Sequence, residues 1–461
     1  MPLAILTVHD QSYEGIGLAN WVRPDGKVKL VEVPYALKGE EVEVFLRRGK
    51  KRRALYGQLE RIITPSALRI EPKCCHFASC GGCSLQHVSY EMQLSWKEQE
   101  IRRLFSFCPD APFHPIMASK EIWGYRNKLE FTFSENKERR KFLGFILTRT
   151  KGHVFDVAEC PLVAPWNIEC VKKVKEWWEQ SKLSAYRHSQ NSGALKTLTL
   201  RHGHDFDDRL IILTVSGNPD FALKQNDLDS FVALTQELKG KGNLGIILRI
   251  CQQIKGRPTQ FFEMTLFGEP LLRQKLSIFG KEIDFIHSPS SFFQPNTKTA
   301  NALYERAFAL AELDTMKSLW DLYCGIGVIG LLAAQKVEKV VGIELSADSC
   351  YDARQNIARL NAGHFTLFSG DVGAVLKQHE AELPVPDCIV IDPPRQGLDP
   401  KTIAFLAQLK AKKLIFISCN PKIQAANVAE LMKAGFRVTA IQPVDQFPHT
   451  PHIENICICE H

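Results

Sequence analysis

Two groups of residues in this 461-residue chain have the types and spacing to do chemistry. The first is Cys74-Cys75-His76-Phe77-Ala78-Ser79-Cys80-Gly81-Gly82-Cys83. Three thiols spaced by five and two residues, with two glycines that let the backbone fold tightly, make a nest for a soft metal. A fourth thiolate must come from elsewhere, and Cys160 in Ala158-Glu159-Cys160-Pro161 is the expected one. Four thiolates hold either an iron–sulfur cluster or a structural zinc ion. Cys75 and His76 rival Cys74 as ligands on spacing alone, and a redox-active Cys80/Cys83 pair is a third reading that the nearness of Cys74 disfavours. The second group surrounds Cys419, in Ile417-Ser418-Cys419-Asn420-Pro421. The apolar run 413–417 reads as a buried strand that stops at a small polar turn, and Pro421 opens a helix. Ligands of open α/β sheets sit at the carboxyl ends of the strands, which places this thiol where chemistry happens. Its bland alternative is a small apolar filler, since free cysteine is often buried.

The elements that must position Cys419 begin near residue 288, after a turn-rich segment and a helix over 299–312. Residues 319–323 read as a strand, Cys324-Gly325-Ile326-Gly327 as a glycine turn, and 328–335 as a helix. Such a turn lets a ligand approach the backbone closely. The next strand, 340–343, ends in Glu344, and a carboxylate about twenty residues beyond the glycines suits a ribose diol. The nucleoside is NAD or S-adenosylmethionine, and a single G-x-G favours the latter. The alternation continues through a helix at 347–360, a strand at 365–368 ending near Asp371, and a strand at 388–391 ending in Asp392-Pro393-Pro394-Arg395. After the Cys419 strand come a helix at 423–434 and an antiparallel edge pair at 437–444 and 453–459. Cys388, Cys457 and Cys459 fall in apolar strand patterns and read as core.

Upstream, five short strands are expected at 4–8, 17–22, 28–33, 41–46 and 54–63, a spacing that fits a five-stranded oligonucleotide-binding barrel. One hairpin tip carries Arg47-Arg48-Gly49-Lys50-Lys51-Arg52-Arg53, either a solvated loop or a phosphate contact. Between barrel and α/β unit lies a mixed stretch, with strands expected at 128–134, 142–148, 195–201 and 210–215 and helices at 167–180 and 227–238. Within it, Gly124-Tyr125-Arg126-Asn127-Lys128 sets an aromatic among cations, which suits RNA or an ordinary strand edge. The chain is too long for one core. Hydrophobic content of 45% with 24% charged residues is that of a soluble globular protein, and no apolar run is long enough for a membrane span. Without an export signal, fourteen cysteines imply a reducing cytoplasmic setting, and a formal charge of +7 suits a polyanionic partner.

Taken together, Phe292-Phe293-Gln294-Pro295-Asn296, the 321–327 turn, Asp392–Arg395, Ser418–Pro421 and Pro451-His452-Ile453-Glu454 resemble the S-adenosylmethionine-dependent RNA 5-methyluridine methyltransferases. With Cys74, Cys80, Cys83 and Cys160 added, the resemblance narrows to iron–sulfur members with an N-terminal TRAM domain. It implies a multidomain fold: an OB-like β-barrel over 1–63, a central α+β domain with the cluster over 64–287, and a Rossmann-like class I methyltransferase domain over 288–461. It also implies that Gln294, Tyr323, Glu344 and Asp392 line the S-adenosylmethionine site, with Asp371 a further candidate at its adenine end. Cys419 would be the nucleophile and Glu454 the base, and the four cysteines would hold a [4Fe–4S] cluster. The expected partner is RNA, ribosomal rather than transfer RNA, with the enzyme acting as a cytoplasmic monomer. Two rival readings are an amino-methyltransferase, disfavoured by Arg395 where that motif has an aromatic, and a non-catalytic RNA-binding or ribosome-assembly factor.

Overall fold

The computed structural model describes residues 3–48, 55–150, 152–254, 256–379, 382–383, 385–409 and 411–461. Most of the basic hairpin tip, residues 49–53, lies outside them. The first five strands, Leu3–Gln11, Ile16–Val22, Val28–Pro34, Glu41–Arg48 and Leu55–Thr64, close into a barrel in the order one-two-three-five-four. Alternating apolar residues point inward, with Leu6, Val8, Ala19, Val31, Val33, Val42 and Val44 forming its core. At the barrel's exit the buried Glu40 carboxylate accepts from the Leu37 and Ser66 amides and pairs with Arg69 at 2.6 Å, which fixes the chain leaving it.

A seven-stranded sheet follows. Across it run Gln260–Phe267, Leu244–Gln252, Asp208–Ser216, Leu195–Gly203, Lys128–Glu135, Lys141–Ile146 and Val154–Asp156. Helices Pro165–Gln180 and Gln225–Gln236 share one core with it, through Trp166, Val174, Trp178 and Phe231. The four strands and two helices expected here are present. The strands over 244–252 and 260–267 were not expected, nor was the hairpin of Leu272–Ile278 and Lys281–His287.

The second seven-stranded sheet has the order Phe365–Ser369, Lys339–Glu344, Ser318–Leu322, Cys388–Ile391, Lys413–Ser418, Glu454–Glu460, Arg437–Val444. The first five are parallel and nearly all apolar because both faces are covered. Glu454–Glu460 runs antiparallel between two neighbours. Cys388, Cys457 and Cys459 are fully buried, as expected.

Packing also joins to this sheet two segments that precede residue 288. Helix Tyr90–Leu104, capped by the Ser89 hydroxyl on the Met92 amide, inserts Ile101 and Phe105 beside Trp320, Ile389 and Phe416. Residues 112–117 then run along Arg437–Val444, exchanging backbone bonds of 2.9 Å between His114 and Ile441 and between Met117 and Pro443. The 272–287 hairpin contributes Leu276, Ile283 and Phe285 to the opposite face, against Leu303 and Phe308 of helix Thr297–Leu310. Apolar periodicity reveals that such elements have a buried face, but not which sheet receives it. Among the described residues no helix is long and apolar enough to cross a membrane.

Candidate active site

The carboxyl ends of the parallel strands converge on a cavity of about 540 Å³. Strand register brings the two expected catalytic residues together. Ser418 lies opposite Asn455, so the next position on one strand, Cys419, faces the previous position on the other, Glu454. Gln424 locks that pairing by donating to the carbonyls of Phe416 and Asn455, while Asn455 donates back to it at 2.8 Å. The turn around Cys419 is built locally. Ser418 Oγ accepts from the Asn420 amide at 3.1 Å, Asn420 caps helix Pro421–Lys433, and its Nδ2 donates to the Arg395 carbonyl at 2.9 Å. Asp392, at the end of the adjoining strand, lines the same cavity with Gln294, Tyr323, Cys419 and Glu454.

The electrostatics are those of acids kept from water. Burial raises the Asp392 carboxyl to about 7. Burial, then the nearness of Asp392, raises Glu454 well above the ordinary carboxylate range, and Arg395 opposes this. Among the described residues, one Glu454 oxygen, Oε2, has no hydrogen-bond partner. The Cys419 thiol is pushed up to about 11, first by burial and then by Glu454 and Asp392, with Arg395 pulling it back. In the free protein, Cys419 is therefore a thiol at neutral pH. Its alkylation by iodoacetamide should rise by about tenfold per pH unit and level off near pH 11. Glu454→Gln removes a negative neighbour and moves that plateau to lower pH; Arg395→Met moves it higher. Peptide mass mapping of the alkylated protein reads both shifts, and a plateau at neutral pH in wild type would refute this electrostatic picture.

The cofactor end is shaped by backbone. Tyr323, Gly325 and Gly327 have φ of 66°, 56° and 82°. Glycine is at home there, while Tyr323 is held in a conformation few side chains adopt. Asp321 Oδ2 accepts from the Gly330 amide at 2.7 Å and so anchors the helix after the turn. Gln294 lies beside Tyr304, and its backbone carbonyl accepts from Asn127 Nδ2 at 2.9 Å. Glu344 stands at the expected strand end but does not line the cavity. Its two oxygens accept from the amides of Gly325 and Ser346 at 2.9 and 2.7 Å, bracing the turn. Asp371 caps helix Val372–Gln378 through the Ala374 amide.

The cysteine nest forms a second cavity of about 430 Å³, lined by Cys74, Cys80, Cys83 and Cys160 with His76 and Arg126. Cys75 is exposed and does not line it. The distant Cys160 segment is docked by two bonds: the Ala158 amide to His76 Nε2 at 2.9 Å, and the Cys75 amide to Glu159 at 2.8 Å. Burial pushes the thiol of Cys83 up to about 12 and that of Cys160 to about 11, a cost that a bound cation would reverse. Among the described residues, no three His, Cys, Asp or Glu side chains close onto a point that would hold a single metal ion.

Two lining residues, Arg395 and Arg126, stand in motifs quoted from the sequence but were given no site role of their own. Arg395 supplies the cation between thiol and carboxylates; its signal was present in Asp392-Pro393-Pro394-Arg395, where it served only to disfavour a rival. Arg126 lines both cavities. The expectation that Tyr125 offers a ring to RNA bases is corrected: it is 3% exposed, and its hydroxyl donates to the Pro448 carbonyl at 3.1 Å.

A family profile described as tRNA (Uracil-5-)-methyltransferase matches residues 252–460. An uncharacterized RNA methyltransferase of Protochlamydia amoebophila is 43% identical over 440 residues, covering 93% of this chain and 99% of its own. One from Bacillus cereus is 30% identical over 458 residues, covering 97% and 94%. The crystal structure of Pyrococcus abyssi tRNA (uracil-54, C5)-methyltransferase in complex with S-adenosyl-L-homocysteine superposes with a TM-score of 0.73 at 23% identity, over 99% of this chain and 100% of that one. Sheet order, glycine turn and strand-end cavity thus define a class I S-adenosylmethionine-dependent methyltransferase preceded by a five-stranded barrel. The chain belongs to the RNA uracil-C5 methyltransferases and is an RNA (uracil-5-)-methyltransferase.

Proposed function

We propose that the enzyme methylates carbon 5 of one uridine in ribosomal RNA through a covalent bond between Cys419 and the base. The observation that carries this reading is the placement of Cys419 opposite Glu454, with Asp392 and Arg395, around one cavity. Carbon 5 of uracil is too weak a nucleophile to take a methyl group unaided. Cys419 Sγ adds to carbon 6, and the electrons of the carbon 5–carbon 6 double bond move toward oxygen 4 as an enolate. Arg395 stabilises the thiolate that this requires. S-adenosylmethionine would be held by Gln294, Tyr323 and Asp392 of the cavity wall, with Glu344 at its ribose end only if that carboxylate gives up an amide of the turn, and it supplies an electrophilic methyl sulfonium when bound. Glu454 then takes the carbon 5 proton, the double bond re-forms, and Cys419 leaves as thiolate. The target base must be out of its stack to reach the cavity. RNA containing 5-fluorouridine has no carbon 5 proton to lose, so with S-adenosylmethionine it should leave a stable protein–RNA adduct on Cys419. Methylation without any adduct would overturn the route.

Cys74, Cys80, Cys83 and Cys160 are proposed to hold a [4Fe–4S] cluster. Four thiols lining one cavity supply the donor set such a cluster takes. The nucleophilic route needs no electron transfer, so the cluster's role is structural. Anaerobic reconstitution with iron and sulfide should restore a visible iron–sulfur absorption; protein that takes up zinc alone would refute the assignment. The barrel and cluster together favour ribosomal RNA. The matching profile and the Pyrococcus enzyme are both described by action on tRNA, which makes tRNA the second reading. Mapping 5-methyluridine in total RNA from cells lacking this protein decides between them.

A further inference from the structure

The loop 445–453 joins the last two strands, places Phe447 and His452 in the active-site wall, and delivers Glu454. Beside local bonds from Thr450 to the Phe447 carbonyl and from the His452 amide to Thr450, it is held by residues far away in sequence. Lys97 Nζ donates to Asp445 Oδ1 at 2.6 Å and to the Phe447 carbonyl at 3.2 Å, and both ionic side chains are fully buried. Gln93 accepts from the His449 amide at 2.9 Å through Oε1, while its Nε2 donates to the carbonyls of Leu85 and Val88. The amides of Ser84 and Leu85, directly after Cys83, both donate to the His449 carbonyl, at 3.0 and 3.1 Å. His449 itself has φ of 67°, and its ring is stacked 3.8 Å from that of Trp123.

A buried ion pair is commonly no more stable than an apolar pair of the same volume, so its presence fits a need for a defined position. A left-handed non-glycine residue persists where its surroundings over-determine it, and such residues cluster at functional sites. Cys419 stands outside the clamp, on its own strand and turn, tied through Asn420 to Arg395. The clamp therefore grips the loop that leads into one of the two expected catalytic residues and leaves the other alone.

We infer that Lys97 and Gln93, with the amides following Cys83, are positioning residues that hold Glu454 for removal of the carbon 5 proton, so that the cysteine nest steadies the second half of the reaction and not the first. This rests on the reading of Glu454 as the base. Loosening the clamp leaves thiol addition and methyl transfer nearly intact and slows release of the methylated base. The signature is a covalent adduct that persists on ordinary uridine RNA, which general destabilisation does not produce.

The test compares Lys97→Met, Gln93→Leu and the charge-free double variant Lys97→Met/Asp445→Leu with wild type, all with the nest loaded. Single-turnover reactions with uridine RNA and S-adenosylmethionine are quenched and run on denaturing gels, and hydrogen exchange is followed over 445–453. The expected result is an adduct decaying on the order of tenfold more slowly, a lower kcat with little change in KM for RNA, and faster exchange in the loop. Lys97→Arg should recover wild-type decay. If variants that fold and exchange faster in the loop show no persistent adduct, the inference is wrong. Should Lys97→Met fail to fold, the double variant and Gln93→Leu decide the question in its place. Glu454→Gln runs alongside: if it too leaves no adduct, the reading of Glu454 as base fails, whereas an adduct there and none in the clamp variants sinks the clamp alone.

Discussion

Cys419→Ala will lower methylation of RNA by on the order of 10⁴-fold or more while leaving S-adenosylmethionine binding within a few-fold of wild type. The substitution removes the atom that raises electron density at carbon 5, and the other thiol lining the cavity, Cys324, belongs to the glycine turn at the cofactor end. Asp392 and Glu454 offer only carboxyl oxygens, far weaker nucleophiles than a thiolate toward carbon 6, and Arg395 is a cation. The side chain is partly buried at a strand end rather than packed in the core, so the variant should fold. Calorimetric titration with S-adenosylmethionine, set beside incorporation of radiolabelled methyl groups into RNA, separates the two effects. A variant retaining more than a small fraction of the activity would show that the transfer proceeds without a covalent bond.

Glu454→Gln should be slower than wild type by about 10² to 10⁴-fold, but in a different way. Addition of the thiol needs no base in the second position, and removal of a negative neighbour eases formation of the thiolate. Loss of the carbon 5 proton has no acceptor. Enzyme and RNA should therefore accumulate as a methylated covalent complex on unmodified uridine, visible on a denaturing gel within one turnover. Wild type and Cys419→Ala should not show it, the first because the complex breaks down and the second because it never forms. Equal activity loss with no complex would assign Glu454 to binding rather than to proton transfer. The direction of the Cys419 plateau in the same variant is an independent check, because it depends on charge alone.

The catalytic half of the molecule was legible because parallel strands announce themselves. Lys413–Ser418 is apolar on both faces, stops at a small turn, and is followed by a proline that only a helix start accommodates. The same logic located the strand ends bearing Tyr323, Glu344 and Asp392. What the side chains do there was less accessible. Glu344 has the position of a ribose ligand, yet its oxygens brace the glycine turn; only the three-dimensional path of that turn reveals the bond. Tyr125 among cations reads equally as a platform for RNA or an ordinary surface strand edge, and it is neither, because its hydroxyl is buried against the carbonyl of Pro448, 323 residues away. Helix Tyr90–Leu104 was not expected: its buried face carries Gln93 and Lys97 beside Ile101, and the sheet that covers it starts more than two hundred residues later. Spacing brought Cys74, Cys80 and Cys83 together because they are local. The addition of Cys160 rested on the Cys160-Pro161 pairing and then on likeness to a family, and the two backbone bonds that dock its segment carry no mark in the sequence.

The position of strand Glu454–Glu460 has a consequence for how the enzyme comes into being. In chain order it is the last strand, yet in the sheet it lies between two others. Lys413–Ser418 and Arg437–Val444 are not paired with each other, and each completes its ladder only when Glu454–Glu460 enters between them. Filling that gap seats Glu454 opposite Cys419 and closes the clamp around 445–453 in one event. A chain cut between residues 421 and 453 keeps the Cys419 thiol but lacks the strand that seats Glu454 beside it, so the site cannot form without that strand.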